Sequence, residues 1–204
     1  RLADDHFYIV TGTGFRTHDF AWIADHIKPG LDATLTDITE AYGTLSVMGP
    51  KSRAVIQAVT SADMSNGAFK FGEVREIDIA GHVARALRVT YVGELGWELH
   101  VPSEYAVHVY ERLHAAGEAH GLANVGYKAI DSLRLEKSYK VWGADLTEED
   151  NPFEAGLGMF VRFDKPDFIG RAALEKVKRD GPQRLLSTFS LGEYCELFGG
   201  EAIY

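Results

Sequence analysis

Three runs of strand-forming residues follow one another closely, at 74–79, 83–92 and 97–101, and only short glycine-bearing breaks separate them. The first alternates apolar and polar side chains, the second is rich in β-branched residues, and the third carries Trp97, Leu99 and Val101. Breaks as short as Gly81-His82 and 93–96 leave no room for a crossover helix, so neighbouring runs must pair antiparallel. A chain with this centre has to build a sheet and cover one face of it.

Further strands are read at 6–11, 34–39, 42–48 and 184–191. Helices are read from Thr17 as N-cap with Phe20, Ile23, Ala24 and Ile27 at helical spacing, and from Pro50 onward. Others follow Ser103, span 127–139 and span 170–177. Strands grouped between helices predict an α+β chain with largely antiparallel sheets and covering helices. With an apolar share of 46 %, the chain can bury a core, and no run reaches the roughly 18 apolar residues of a membrane span. The formal net charge of −9 argues against a partner read through its phosphates, so no nucleic acid is expected. The lone Cys195 cannot form a disulfide framework or a cysteine-rich zinc site, and no metal site is expected. The Thr11-Gly12-Thr13-Gly14 cluster lacks the third glycine of a dinucleotide-binding turn.

The stretch Tyr91-Val92-Gly93-Glu94-Leu95-Gly96-Trp97-Glu98 carries the chemistry. Read as a symmetric hairpin in which Gly93 pairs with Gly96, it sets Tyr91 opposite Glu98 on one face, with β-carbons about 4.5–5.5 Å apart. An aromatic plane beside a carboxylate suits a flat heterocycle with an amidine-like N–H pair, which can stack and donate two parallel hydrogen bonds. An ordinary surface pair has the same spacing, so spacing alone leaves both readings open.

The same stretch resembles the Tyr-x-Gly-Glu-x-Gly-x-Glu signature of the glycine-cleavage aminomethyltransferase (T-protein) family. Asp131-Ser-Leu-Arg-Leu-Glu-Lys-Ser-Tyr139 is similar to that family's Asp-Ser-Leu-Arg-Leu-Glu helix. Trp142-Gly-Ala-Asp-Leu146, Pro152-Phe-Glu-Ala-Gly-Leu157 and Asp167-Phe-Ile-Gly-Arg171 follow in the family's order. The wording of 136–145 and the opening of 1–7 resemble one branch, the folate domain at the C-terminal end of dimethylglycine and sarcosine dehydrogenases or oxidases.

The resemblance implies an aminomethyltransferase folate-binding fold with ferredoxin-like subdomains. Residues 1–41 would be the remainder of a first folate-binding subdomain, 42–183 the central one, and 184–204 the start of a C-terminal barrel otherwise missing. It implies tetrahydrofolate as ligand, with Glu98 on the family's pterin-binding glutamate and Tyr91 on its nearby aromatic. Trp142 falls where related sequences carry an aromatic near the ligand, and packing at a core or rim is an equal reading of it. Leu99 and His100 continue the strand of Glu98, and Val10 with Thr11 would border the folate from the 6–11 run. For His100 a structural or solvated role competes. Asp131 and Arg134 read as a local ion pair, and Ile130 stands where many T-proteins have an arginine for ligand carboxylate.

No catalytic residue is assigned: the family's acid lies just before the 6–11 run, upstream of Arg1, and Asp4 and Asp5 read as solvated. Both ends read as cuts, because residue 1 is not Met and 201–204 reads as mid-strand. The parent enzyme would oxidise a methylated amine with FAD in an upstream domain. This module would receive the amine-derived iminium and yield 5,10-methylenetetrahydrofolate. A non-catalytic regulatory or folate-binding relative, or a stand-alone aminomethyltransferase, are the competing readings. A cytoplasmic location in a bacterium or a mitochondrial matrix location in a eukaryote is implied, and a chain cut from its neighbours is expected to self-associate.

Overall fold

A computed structural model describes residues 1–197 and 199–202. In chain order the elements are α1 (Arg16–Asp25), β1 (Tyr42–Met48), α2 (Ser52–Gln57), β2 (Val74–Ile79), β3 (His82–Leu87), β4 (Gly96–Pro102), α3 (Ala106–Gly117), α4 (Tyr127–Glu136) and α5 (Arg171–Asp180). The strands form one antiparallel sheet in the order β1-β4-β3-β2, in keeping with the expected α+β class. The chain divides into two compact units, one of residues 1–90 with 95–123 and one of 91–94 with 124–204.

The first unit holds the sheet. Side chains alternate across a strand, so β4 sends Trp97, Leu99 and Val101 to one face and Glu98 and His100 to the other. The first face meets Val47 of β1, Ala84 and Ala86 of β3, and Ile77 and Ile79 of β2. Val55 and Ile56 of α2 and Val109 and Leu113 of α3 close over it, with Met64 and Phe69 filling from the loop before β2. Close approach is enforced at Gly43, where an added Cβ would stand 2.9 Å from Ala106 Cβ at the start of α3.

Several expected strands are absent. Residues 6–11 and 34–39 run without a strand partner, and so does 184–191 in the second unit. Composition suits a strand at these places, but a strand exists only through ladder bonds to a neighbour. The expected strand at 201–204 falls partly on Ile203 and Tyr204, outside the described residues.

The tight hairpin is also corrected. β3 ends at Leu87 rather than at 92, and the β3–β4 register sets Glu98 opposite Leu87, not Tyr91. The cause lies at Arg88. Its N–H donates to Glu73 O (3.0 Å), its carbonyl accepts from Gly72 N–H (2.8 Å), and its guanidinium donates to Asn66 Oδ1 (2.7 Å) and to the Phe69 carbonyl. The chain here stays with the segment before β2 and leaves β4, so the connection is an eight-residue loop, 88–95.

In the second unit, Arg134 of α4 is buried and donates to Asp131 Oδ1 (2.8 Å), to the Tyr139 carbonyl (2.9 Å) and to Asp145. Asp145 also accepts from the Val141 N–H (2.9 Å). Burial opposes the Arg134 charge, and hydrogen bonds and attraction from the two aspartates outweigh it, so its pKa is raised. This pins the end of α4 to the turn carrying Trp142. Among the described residues, Val92, Leu146 and Ala155 are the buried apolar side chains of this unit.

Candidate functional site: the polar face of the sheet

The face of the sheet turned away from α2 and α3 carries a linked set of polar side chains. Glu98 is flanked by Ser46 on β1 and Leu87 on β3, its direct cross-strand neighbours. Two residues on, His100 is flanked by Thr44 and Arg85 in the same way. The Glu98 side chain is 27 % exposed and the His100 side chain 4 %. His100 Nε2 lies 3.7 Å from Glu98 Oε2 and has no hydrogen-bond partner of its own.

Tyr8 from the opening segment lies against this face. Its hydroxyl hydrogen-bonds His100 Nδ1 at 2.8 Å, and the two rings meet edge to face at 5.6 Å. The Arg85 guanidinium stands 5.0 Å from the Tyr8 ring centre and 5.2 Å from that of Tyr42, whose hydroxyl accepts from Arg85 Nη1 at 2.9 Å. Burial pushes the Tyr8 hydroxyl pKa up, against the pull of the neighbouring Arg85 charge. Arg85 is further paired with Glu76 of β2 at 3.3 Å.

No protein N–H or O–H is hydrogen-bonded to the Glu98 carboxylate among the described residues, and the His100 ring nitrogen stands 3.7 Å from it. A half-buried carboxylate without a donor can accept two parallel N–H groups from a ligand. A neutral or cationic N–H edge is favoured there over an anion.

The other candidates are placed as follows. Leu99 is fully buried in the core on the opposite face of β4. Val10 is exposed in the opening segment. Tyr91 and Trp142 belong to the second unit. The Tyr91 hydroxyl donates to the Lys140 carbonyl (3.0 Å), its ring stacks beside Tyr139, and burial raises its pKa. Trp142 is half-exposed and bridges to Leu146. Asp4 and Asp5 are exposed. No group of three His, Cys, Asp or Glu side chains suited to a metal ion occurs among the described residues.

Sequence reading missed Tyr8, Tyr42 and Arg85. The signal was present in part: once Glu98 and His100 are placed on one face, strand alternation puts Tyr42 and Arg85 there as well. Nothing in the sequence showed that Tyr8 folds against them.

Comparison with known proteins gives a consistent set of likenesses. The profile of the family described as the GCVT N-terminal domain matches residues 1–165. Mitochondrial sarcosine dehydrogenase of Homo sapiens is 43 % identical over 202 residues, covering 98 % of this chain and 22 % of that protein. Mitochondrial dimethylglycine dehydrogenase of Homo sapiens is 40 % identical over 201 residues, covering 97 % and 23 %. An aminomethyltransferase of Thermoanaerobacter sp. (strain X514) is 35 % identical over 191 residues, covering 94 % and 51 %. The chain therefore spans 22 % of the first of these relatives and 51 % of the last. The crystal structure of glycine cleavage system aminomethyltransferase T from Bartonella henselae superposes with a TM-score of 0.70 at 26 % identity, over 84 % of this chain and 45 % of that one.

Proposed function

The chain belongs to the GCVT N-terminal domain family, and from that premise we propose that it is a tetrahydrofolate-binding module for one-carbon (aminomethyl) transfer, with Glu98 as the acceptor for the pterin edge. The observation that carries this reading is the Glu98 carboxylate itself, partly exposed on the polar face of the sheet and without a hydrogen-bond donor among the described residues. Bound tetrahydrofolate supplies a nucleophilic nitrogen that accepts a one-carbon unit. Glu98 fixes the orientation of the ring that bears it, and orientation of a nucleophile is a large part of such catalysis. Leu87 beside Glu98 offers apolar surface to the ring. Val10, Tyr91, Leu99, His100 and Trp142 enter the proposal through the sequence resemblance, with Leu99 and His100 restricted by their burial to roles without ligand contact.

The dehydrogenase relatives, named for sarcosine and dimethylglycine, support a methylated amine as the one-carbon source. Under this reading the one-carbon unit arrives as an amine-derived iminium, the folate nitrogens form bonds to its carbon as the carbon–amine bond breaks, and 5,10-methylenetetrahydrofolate, the demethylated amine and a proton leave. FAD would belong to a separate domain of the same polypeptide. The mitochondrial relatives support a matrix location in a eukaryote, and no helix among the described residues is long and apolar enough to cross a membrane. Exposed apolar side chains in the opening segment and α1, Phe7, Ile9 and Trp22 among them, support self-association of an isolated chain.

Calorimetric titration with tetrahydrofolate tests the reading. Hydrogen bonds to a charged acceptor contribute roughly 1.5–3 kcal/mol, so Glu98→Ala should weaken binding about 10- to 150-fold. Unchanged affinity in the variant would remove Glu98 from the site.

A further inference from the structure

Resting on the reading of Glu98 as pterin acceptor, the geometry points to His100 as a positioning residue that acts on the ligand only through Glu98, with Tyr8 setting which ring nitrogen of His100 carries the proton. His100 is 3 % exposed, too deeply buried to touch a ligand on the open side of the sheet. Yet its two nitrogens have distinct surroundings. Nδ1 faces the Tyr8 hydroxyl at 2.8 Å, and Nε2 faces Glu98 Oε2 at 3.7 Å.

The direction of the chain follows from donors and acceptors. Arg85 carries donors only, so beside Tyr8 it can interact favourably only with the phenol oxygen or the ring face. The Tyr8 hydroxyl keeps its proton at neutral pH, because burial raises its pKa above the ordinary 10.0. That proton is therefore available to Nδ1, and a neutral imidazole accepting at Nδ1 carries its own proton on Nε2. The Nε2–H then faces Oε2 of Glu98 at 3.7 Å.

The consequence is an asymmetric carboxylate. Oε2 is attracted inward by the ring N–H on one side, across a gap longer than a hydrogen bond, and its outward lone pair together with Oε1 is left for the two N–H groups of the ligand. A bare carboxylate on a strand samples several rotamers, and holding one of them lowers the cost of ordering it on binding. The opening segment, through Tyr8, thus takes part in the site without touching the ligand.

A double-mutant cycle on the whole natural polypeptide separates this from a merely structural role. Tetrahydrofolate affinity is measured for His100→Leu, His100→Gln and Tyr8→Phe, each with Glu98 intact and in the Glu98→Ala background, with thermal unfolding recorded for every variant. His100→Leu should weaken binding about 5- to 10-fold, His100→Gln should recover most of that because its amide restores an N–H, and Tyr8→Phe should cost about 2- to 5-fold. All three effects should vanish when Glu98 is alanine. Ring nitrogen NMR shifts should place the His100 proton on Nε2 in the wild type, and that preference should weaken in Tyr8→Phe. Tyr8→Phe removes only a hydroxyl, so it decides the matter should His100→Leu fail to fold. Equal losses in both backgrounds, or no loss for Tyr8→Phe and His100→Leu while Glu98→Ala weakens binding, would overturn the positioning role. No loss for Glu98→Ala itself would overturn the pterin-acceptor reading and this inference with it.

Discussion

Leu99 and Glu98 are neighbours on β4, and exchanging each in turn should separate stability from binding. Leu99 is fully buried between Leu45 of β1 and Ala86 of β3, beneath the helices of the first unit. Alanine there removes three heavy atoms, a transfer loss of about 2.4 kcal/mol at roughly 0.8 kcal/mol per methylene. A cavity adds to this, because Ala86 is too small to fill the space, while Leu45, itself only partly buried, can relax towards it. The sum is about 3 kcal/mol, inside the usual range for a buried leucine. Glu98→Gln keeps the shape of a partly exposed side chain and should change stability by less than about 0.5 kcal/mol. Urea unfolding followed by tryptophan fluorescence reads this well, since Trp97 sits in the same core while Trp22 and Trp142 are half-exposed. With an m-value near 2 kcal/mol per molar, Leu99→Ala should lower the midpoint by roughly 1.5 M at unchanged slope. Tetrahydrofolate affinity, corrected for the folded fraction, should stay within about twofold. The reasoning fails if Glu98→Gln is the more destabilising change: a strand slipped by one residue would exchange the two faces and produce that result.

Two further outcomes follow from single contacts. A Cβ at Gly96 would stand 2.5 Å from Met48 Sδ and 3.0 Å from the Val47 carbonyl, so Gly96→Ala should push β4 from β1 and cost about 1–3 kcal/mol in urea unfolding, whereas an unmoved midpoint would contradict that close approach. Hydrogen bonds from Thr39, first its side chain and then its backbone, and next from Arg16 hold the Asp37 carboxyl at about 2, below the ordinary 3.8. A depressed acid favours the folded state above its unfolded value and loses that contribution as pH falls, here from about 4 down through about 2. A carboxyl NMR titration should show a midpoint near 2 that rises in Thr39→Ala, and a wild-type midpoint near 3.8 would refute the arrangement.

Strand β1 and strand β2 were legible because their alternation and their glycine or proline ends agree with where the ladder begins and stops. The antiparallel sheet was legible for a plainer reason, since the break around Gly81 and the one before β4, even at its actual eight residues, are too short for a crossover helix. The start and most of α4 were legible from Ile130, Leu133 and Leu135, but its last turn was not, because Arg134 draws the Tyr139 carbonyl and Asp145 onto itself and ends the helix at Glu136. The runs at 6–11 and 184–191 have strand composition and no strand, since a ladder partner is a property of the fold and not of the segment. The same limit undid the hairpin. Gly93 and Gly96 look like a matched pair, yet Gly93 is needed for its left-handed φ of +72°, while Gly96 is needed for its closeness to β1. Glu98 was identifiable from its motif, but the Tyr8–His100 connection reaches across 92 positions and no local pattern announces it.

A crystal structure of the complex with tetrahydrofolate addresses the central claim most directly. The account predicts the amidine-like edge of the pterin on the Glu98 carboxylate, with N···O separations of about 2.7–3.0 Å and Tyr8, His100 and Glu98 still linked. A pterin bound elsewhere on the protein, with Glu98 facing only water, would contradict it.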